Sequence, residues 1–335
     1  MKIAFLVLNH RGPDQLVRLL KTLRSQLPES PLVVHHDIFH GDLPAEMIEP
    51  IGDVHLLTSG KRMAWGDFSL VDVYCWSLRW MAEHLEFDWV ILLSAQDYPI
   101  KPLSGLADEL QKNNADAVMY ARKIRELPLA AARRDVVRRY FFQYRAAAPH
   151  GGKSWLPGGL RAFIRRRTGL LIDGINFVQP LFKIYRLPDG MPYRFGWRAR
   201  ALPFDKANPC WYGSMWFGLS RRALEYAMTY LAEHPEFVAH YSKTIIPDES
   251  MLATVILNAP ALRVEIGSLH YTRWSGPGSS HPDTFRVGDL AELAAASRFF
   301  ARKFDLAKDA EILDELDKLI GTPVPGECVA PIQAG

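Results

Sequence analysis

Cysteine is scarce in this sequence, and no apolar run is long. The 335 residues include three cysteines, Cys75, Cys210 and Cys328. Their wide separation fits neither a zinc site nor a disulfide framework, and it is typical of a reducing compartment. No apolar run approaches the roughly 18 residues that a membrane-spanning helix needs. The run from Ile3 to Leu8 is too short for the core of a signal peptide, so it predicts a first strand.

Positive charge is concentrated in one part of the chain. Hydrophobic residues make up 48% of the sequence and charged residues 23%, which is typical of a soluble globular protein. Between residues 122 and 167, thirteen Lys or Arg are accompanied by only Glu126 and Asp135, although the whole chain has a net charge of +3. This basic segment suits an anionic membrane surface or polymer, and a solvated basic face is the alternative.

Apolar strands alternate with amphipathic helices along most of the chain. The pattern predicts strands over residues 2–8, 31–36, 54–57, 89–94, 117–120, 211–220 and 262–271. It predicts helices over 14–27, 69–84, 103–111, 221–232, 289–304 and 309–320, with Ser69 and Asp72 at capping-box spacing. This alternation predicts an α/β fold with a mostly parallel sheet and helices on both faces.

One domain accounts for most of the chain. Residues 122–200 contain no periodic block large enough for a core, so they are predicted to form a basic insertion or lid within a single domain of residues 1–320. The Gly- and Pro-rich residues 321–335 are predicted to form a flexible tail.

The segment from Pro247 to Leu257 is predicted to be a helix with two carboxylates at its start. Pro247 suits the first helical turn, and acidic side chains suit the positive end of the helix dipole. The apolar residues after Ser250 have helical spacing, so Asp248 and Glu249 are expected at the mouth of a rigid element. An ordinary capped helix end is the alternative.

Candidate ligand contacts follow the predicted strands. In parallel sheets, ligands bind beyond the carboxyl ends of the strands, and Asp37, Trp65 and Asp97 occupy such positions. His35 and His36 point to opposite faces of a strand and are poorly placed to share a metal. The lone Asp37 suits a contact with a ribose or a base edge, with a surface acid as the alternative.

No two aspartates are separated by a single residue, so the metal-binding Asp-x-Asp pair of many nucleotide-sugar transferases is missing. If a diphosphate binds here, side chains must neutralise it. Arg302 and Lys303 are suited to this through charge-assisted hydrogen bonds, and a basic helix C-terminus is the alternative. Three tryptophans suit stacking on sugar rings, with core packing as the alternative: Trp211, Trp216 and Trp274.

Eight short motifs, taken in order, resemble those of one glycosyltransferase family. They are Asn9-His10-Arg11, His36-Asp37, Ala64-Trp65-Gly66, Leu93 to Ile100, Gly213 to Phe217, Pro247 to Ser250, the Trp274 loop and Phe299 to Asp305. Over residues 1–320 the chain resembles the core-2/I-branching β-1,6-N-acetylglucosaminyltransferase and peptide O-xylosyltransferase family.

The resemblance implies a GT-A-type fold and an inverting, metal-independent transfer from a UDP-sugar to a hydroxyl of a glycan or other polymer. It implies that Glu249 is the catalytic base, that Asp37 contacts uridine, and that Arg302 and Lys303 bind the diphosphate. Further contacts with the UDP-sugar are expected from Pro13, Met63, Ala64, Trp65, Asp97 and Ser280, with Ser279 as an alternative to Ser280. No cofactor and no nucleic-acid partner is expected.

Some features depart from the family pattern. Met215 stands where the xylosyltransferase branch has an acid, yet Ser94 to Pro99 and Phe300 to Lys303 are closer to that branch, so xylose and N-acetylglucosamine both stay open as the donor sugar. The lack of an anchor and of many cysteines favours a cytoplasmic enzyme, peripheral on the inner face of the membrane through residues 122–167. A non-catalytic carbohydrate- or membrane-binding protein on the same fold is the alternative.

The acidity of the proposed base is subject to two opposing effects. A position at a helix N-terminus lowers the pKa of Glu249, which keeps it charged but weakens it as a base. Burial by neighbouring tryptophans is expected to offset this. A glycoside hydrolase using Asp248 and Glu249 is disfavoured, because adjacent helical residues diverge and cannot flank one glycosidic bond.

Overall fold

The computed structural model describes residues 1–10, 12–146, 169, 171–185, 194–276 and 281–322. The strands, in chain order, are β1 (Ile3–Asn9), β2 (Leu32–His36), β3 (Val54–Leu57), β4 (Trp89–Ser94), β5 (Asp97–Pro99), β6 (Ala117–Lys123), β7 (Phe142–Ala146), β8 (Phe182–Tyr185), β9 (Arg194–Arg198), β10 (Trp211–Ser220), β11 (Val264–Ile266), β12 (His270–Thr272) and β13 (Phe300–Arg302).

Helices separate most of these strands. They are α1 (Pro13–Gln26), α2 (Ala45–Ile48), α3 (Phe68–His84), α4 (Leu106–Gln111), α5 (Ala130–Tyr140), α6 (171–178), α7 (Arg221–Glu233), α8 (Pro235–Tyr241), α9 (Met251–Leu257), α10 (Leu290–Ala295) and α11 (Glu311–Ile320). In the described part of the chain, no helix has the length and hydropathy that crossing a membrane requires.

The central sheet has seven strands in the order β3-β2-β1-β4-β10-β6-β11. Strands β1 to β4 run parallel, and β10 is antiparallel to both β4 and β6. Two separate cores cover the two faces of this sheet. In β1, Ala4, Leu6 and Leu8 pack with helices α3, α7 and α9, and the alternate residues pack with α1, α4 and α11. The predicted α/β fold with a mostly parallel sheet is therefore confirmed.

The predicted helix over residues 289–304 is wrong in its second half. Helix α10 ends at Ala295, and Phe300 to Arg302 form β13 between β12 and β5. Phe300 pairs with His270 on one side and with Pro99 on the other. A short apolar run gives no helix or strand period of its own, so pairing with two neighbours decides its conformation.

The predicted strand over residues 262–271 is also wrong as a single element. Val264–Ile266 pairs with β6 in the central sheet, whereas His270–Thr272 pairs with β13 in the second sheet. Gly267 and Ser268 lie between the two strands, and the Ser268 hydroxyl accepts a hydrogen bond from the His270 N–H at 3.0 Å. This local hydrogen bond competes with continuation of the first strand.

Two predicted helix starts are displaced. Asp67, and not Ser69, caps α3, because its side chain accepts a hydrogen bond from the Ser69 N–H at 2.9 Å. The predicted helix over Pro247 to Leu257 is interrupted: Pro247–Glu249 is a 3-10 turn, and α9 begins after Ser250. The Ser250 hydroxyl donates to the Trp211 carbonyl at 2.6 Å, which fixes this residue against β10 instead of in the helix.

The predicted basic insertion, residues 122–200, contains a small antiparallel sheet of its own, in the order β7-β9-β8. One face of this sheet buries Phe142, Tyr144 and Tyr185 against Ile245 and Ile246. The insertion is therefore attached to the main body immediately before the 3-10 turn that carries Glu249. Residues 147–168 of the insertion and the tail from residue 323 lie outside the described residues.

Candidate active site

The parallel strands β2, β1 and β4 end side by side at one edge of the central sheet, and the candidate site lies at this edge. At the end of β1, the Asn9 side-chain nitrogen lies 3.1 Å from His36 Nδ1 at the end of β2. His36 Nε2 is in hydrogen-bond contact with the Gly41 carbonyl, whereas His35 Nε2 contacts the Ser59 hydroxyl. The two histidines therefore have different surroundings, as the alternation of a strand predicts.

Asp37 is buried and connects the end of β2 to a distant loop. Its carboxylate accepts hydrogen bonds from the N–H groups of Met63 at 2.8 Å and Phe39 at 3.0 Å, and it contacts His40 Nδ1 at 3.0 Å. Burial alone would raise the pKa of Asp37, but these partners together lower it below its ordinary value. In this arrangement the carboxylate positions the Met63 loop and is itself covered by protein.

The loop after Met63 carries the next two predicted contacts. The Ala64 N–H donates to the Ser69 hydroxyl at 3.1 Å. Trp65 is half-buried against the cluster that contains Ile246, and its ring lies 6.2 Å from the ring of His281. The loop is thus fixed between α3 and the segment that leads to Glu249.

Arg302 is held by a buried carboxylate and an aromatic ring. Asp97 is fully buried and lies 3.1 Å from the Arg302 guanidinium, whose central carbon is 4.1 Å from the centroid of the Trp216 ring. Burial would raise the pKa of Asp97, but the charge of Arg302 and contact with His270 lower it. Asp97 therefore lies behind Arg302, in a position to orient it, and has no exposed surface of its own.

Lys303 and Pro13 lie near the same end of the sheet. The Lys303 N–H donates to the Asp283 carbonyl at 3.2 Å. The Gln15 side chain, two residues after Pro13, donates to the Ala95 carbonyl at 2.9 Å and to the Phe304 carbonyl at 3.0 Å. Pro13, at the start of α1, is therefore two residues from Gln15, which bonds Phe304, the residue after Lys303. Ser279 and Ser280 lie outside the described residues.

Glu249 is bound by an arginine from the basic segment. Arg139, in the last turn of α5, donates to Glu249 Oε2 at 2.7 Å and to Asp135 at 2.7 Å, and its guanidinium lies 5.6 Å from the centroid of the Tyr212 ring. About 30% of the Glu249 side chain is exposed. One carboxylate oxygen is thus bound by Arg139, and the exposed fraction of the side chain is available to a substrate.

The surroundings of Glu249 raise the pKa of its carboxyl group. Desolvation raises this pKa, and the charge and hydrogen bond of Arg139 oppose the increase. The charge of Asp135 adds to the increase. The expectation that neighbouring tryptophans supply part of the burial stays a prediction. Asp248, the preceding residue, has a pKa that is raised by burial and by the charge of Glu249. Its Oδ1 atom is buried and has no hydrogen-bond partner among the residues that the structure describes.

Strand β10 links the two charged groups of the site. Its pairing with β6 shifts between Gly213 and Phe217, which leaves Trp216 in an irregular segment of the strand. Tyr212, at one end of this segment, contacts the arginine that binds Glu249, and Trp216, at the other end, contacts Arg302. A Cβ atom at Gly213 would lie 1.8 Å from the Tyr120 carbonyl oxygen, so no side chain fits there.

A second connection runs through the loop before β13. His281 contacts Trp65, and two residues later the Asp283 carbonyl accepts a hydrogen bond from Lys303. Trp65 in turn packs near Ile246, three residues before Glu249. Two chains of contacts therefore link Glu249 to Arg302 and Lys303, one through β10 and one through this loop.

The three tryptophans predicted to bind the acceptor have different surroundings. Trp216 stacks on Arg302, whereas Trp211 packs at the edge of the core and donates its indole N–H to Asn258 at 2.9 Å. Trp274 is 53% exposed. The structure thus brings Trp216 to the charged groups and leaves Trp274 available to a ligand, and it assigns Trp211 a packing contact.

Several residues that complete this site could not be identified from the sequence pattern. Arg139 and Asp135 belong to the basic run, and nothing in a one-dimensional pattern separates them from the other cations there. Tyr212 and His270 were also missed, because their roles depend on strand pairing. Among the described residues, no group of three His, Cys, Asp or Glu side chains is placed to hold a metal ion.

Comparison with known families identifies the fold that carries this site. The model of the core-2/I-branching enzyme family matches residues 3–126 and 196–295, which together exceed half of the chain. The chain belongs to the core-2/I-branching enzyme family. The resemblance inferred from the motifs is thereby confirmed, and the mixed sheet is consistent with the GT-A-type fold expected of this glycosyltransferase family.

Among curated relatives, this core-2/I-branching family member is similar to xylosyltransferases. Xylosyltransferase 2 of Rattus norvegicus is 27% identical over 355 residues, which cover 97% of this chain and 34% of the relative. Xylosyltransferase 1 of Homo sapiens is 25% identical over 343 residues, covering 95% of this chain and 30% of the relative. The chain spans about a third of the length of these relatives.

Proposed function

We propose that this chain is an inverting, metal-independent glycosyltransferase that moves a sugar from UDP to a hydroxyl of a glycan or other polymer. Family membership supports glycosyl transfer as the reaction class. The observation that supports Glu249 as the base is its geometry: a partly exposed carboxylate with a raised pKa, fixed by Arg139 through one oxygen.

In the proposed reaction, ionised Glu249 accepts the proton of the acceptor hydroxyl as that oxygen attacks the anomeric carbon. A new carbon–oxygen bond forms on one face of the sugar while the bond to the diphosphate breaks on the other, which inverts the anomeric centre. The proton ends on Glu249, and the electron pair of the broken bond ends on the departing UDP.

The negative charge that develops on UDP requires nearby cations. Arg302 is preorganised by Asp97 and Trp216, so its guanidinium needs little rearrangement to receive a phosphate. Lys303 follows it directly on the segment that pairs with residues 283–285. In this proposal the two side chains take the role that a divalent cation has in transferases with an Asp-x-Asp pair.

The uridine is proposed to bind beyond β1 and β2, near Pro13 and the loop of Met63, Ala64 and Trp65. Asp37 supports that loop through its hydrogen bond to the Met63 N–H. Because Asp37 is buried, we expect it to order this loop. Direct contact between Asp37 and uridine would require a small displacement of the residues that cover the carboxylate. The similarity to xylosyltransferases supports xylose as a donor sugar, and N-acetylglucosamine is the alternative that the family name provides.

The experiment that tests the base combines one substitution with a matched control. Glu249→Gln keeps the shape of the side chain but removes its basicity, so sugar transfer should fall by about a thousandfold or more while calorimetric UDP affinity changes little. Glu233→Gln, at the exposed end of α7, should transfer normally.

Three outcomes would contradict this proposal. Transfer by Glu249→Gln at near the parental rate would remove Glu249 from the role of base. Strict dependence on manganese in the parent, measured by EDTA inhibition and rescue, would contradict the cationic pair. A failure of the parent to transfer or hydrolyse any of a panel of UDP-sugars would favour a non-catalytic carbohydrate-binding protein.

A further inference from the structure

One face of the small β7-β9-β8 sheet has an unusual composition. Strand register places six residues on one face: Gln143 and Arg145 of β7, Phe182 and Ile184 of β8, and Phe195 and Trp197 of β9. The opposite face is the one buried against Ile245 and Ile246. A sheet with one buried face normally presents polar side chains on the other, but this outer face is mainly apolar.

Two of the apolar side chains of this outer face are exposed, whereas Phe182 and Ile184 are half-buried. Trp197 is 60% exposed and Phe195 is 48% exposed, and the Trp197 ring packs beside Phe182 with the centroids 5.5 Å apart. Helix α6 runs beside the edge of β8, where the Asn176 side chain bonds both backbone groups of Ile184.

Helix α6 and the residues after it add further exposed apolar side chains. Phe177 is 77% exposed, Val178 is 81% exposed and Leu181 is 69% exposed. Large aliphatic and aromatic side chains this exposed on neighbouring elements are typical of a surface that binds another body.

The positive charge of the surrounding residues limits which binding partner fits this surface. The described residues of this region, 122–146, 171–185 and 194–200, contain twelve Lys or Arg and three Asp or Glu. Arg145 is exposed on the outer face itself, and Arg198 is exposed at the end of β9. A second copy of the chain would bring these cations against one another, which opposes association. A soluble anionic polymer would satisfy the cations but would leave the apolar side chains in water.

We propose that the outer face of the β7-β9-β8 sheet, together with α6, is a docking surface for an anionic lipid bilayer. Aromatic and aliphatic side chains enter the boundary between headgroups and acyl chains, and the cations around them contact acidic headgroups. The opposite face of the same sheet packs beside the segment before Glu249. Docking would therefore hold the site at a fixed distance from the bilayer.

The test measures binding of the full chain to sedimented vesicles, which does not depend on sugar transfer. One set of vesicles contains phosphatidylcholine alone, and in the other about a third of the lipid is phosphatidylglycerol. Binding is expected to the second set, weakening as salt is raised. Val178→Asp, and separately Phe195→Ser with Trp197→Ser, should weaken binding at least about tenfold.

Control variants separate docking from folding and from catalysis. Leu319→Asp changes an apolar residue that is 45% exposed on α11, and it should bind vesicles like the parent. Glu249→Gln should also bind normally, so a failure of the proposed catalytic role leaves this result intact. Each outer-face variant should keep the parental melting temperature, because the substituted side chains are exposed.

Several results would overturn the proposal. These are parental binding by the outer-face variants, no preference for phosphatidylglycerol, or retention on a soluble polyanion without vesicle binding. A concentration-dependent dimer that the outer-face variants abolish would instead identify a second copy of the chain as the occupant.

Discussion

Glu249 is fixed in place by a residue more than a hundred positions earlier in the chain. Arg139 holds one carboxylate oxygen at 2.7 Å, and Asp135 binds the same guanidinium one helical turn before it. A carboxylate with one oxygen fixed has fewer orientations available, so its other oxygen is directed more consistently. The arginine also favours the ionised form of Glu249, which is the form that can accept a proton.

Replacing Arg139 should therefore change the pH dependence of transfer. In Arg139→Met the pKa of Glu249 rises further, because the opposing charge is lost while desolvation remains. The acidic limb of the kcat profile should move to higher pH, and kcat should fall most at the acidic end of the profile. UDP affinity should be unchanged.

Two companions make that measurement specific. Arg139→Lys restores the charge and should recover part of the shift, whereas Arg134→Met, an exposed position on the same helix, should behave like the parent. An unchanged pH profile in Arg139→Met, with kcat lowered only through a lower melting temperature, would make Arg139 a purely structural residue.

Asp248 should destabilise the fold at neutral and alkaline pH. Burial and the charge of Glu249 raise its pKa from 3.8 to about 7. A carboxyl group with a raised folded-state pKa contributes stability below its unfolded pKa, and that contribution is lost as pH rises through the folded pKa. Asp248→Asn should therefore melt at least about 2 °C above the parent at pH 8, with a smaller difference at pH 5. Equal differences at both pH values would contradict the assignment.

At the scale of elements, β13 is the strand that positions the cationic pair. Its pairing with β5 sets Arg302 opposite Asp97, and β12 on the other side supplies His270. Placement on a strand held from both sides keeps the guanidinium at the edge of the site. A basic helix C-terminus, the alternative considered from the sequence, does not occur at these residues.

Removal of both cations should weaken UDP binding. Hydrogen bonds to charged groups contribute about 1.5–3 kcal/mol each, so Arg302→Ala with Lys303→Ala should reduce UDP affinity by about a hundredfold or more. Isothermal calorimetry checks this, with Lys308→Ala, an exposed position with a side chain that is 52% exposed, as the control.

The two substitutions should also be separable. Arg302→Ala leaves the buried Asp97 without its cation, so it should lower the melting temperature as well as the affinity. Lys303→Ala should also lower the affinity, but without leaving Asp97 unpaired. An unchanged affinity in the double variant would contradict the proposed diphosphate contact.

Helices and strands with a clear hydrophobic pattern could be predicted from the sequence. Strands that form only because neighbouring strands pair with them could not. Strand β4 and strand β10 have the predicted bounds, because continuous apolar runs between turns are a local property. The division of residues 262–271 and the strand at Phe300 depend on which neighbours are available. Such information is absent from any single window of sequence.

The candidate site divides in the same way. Strand-end positions led to Asp37 and Asp97, since the carboxyl edge of a parallel sheet follows from element order. Their burial, and the roles of Asp97 behind Arg302 and of Asp37 behind Met63, require the folded packing. Arg139 could not be found because it is one of eighteen cations in residues 122–200.

For the whole molecule, nucleotide binding should stabilise the fold, because the proposed contacts come from β1, β2, β13 and the loops between them. A ligand at a hundred times its dissociation constant adds about 2.7 kcal/mol, which corresponds to a rise of about 4 °C in Tm for a domain of about 320 residues. A thermal-shift panel should show this rise with UDP, and a larger one with either UDP-xylose or UDP-N-acetylglucosamine than with UDP-glucose. A flat panel would contradict the proposed donor class.

The candidate site combines residues that the family model matches with residues that it does not match. The family match stops at residue 126 and resumes at residue 196, yet the arginine that contacts Glu249 comes from the interval. The acidity of the proposed base is therefore tuned by sequence that the family model does not cover. Exchange of residues 127–195 between relatives should therefore transfer the pH optimum of the donor protein to the recipient. The pH optimum of each family member can then change in evolution without changes in the central sheet.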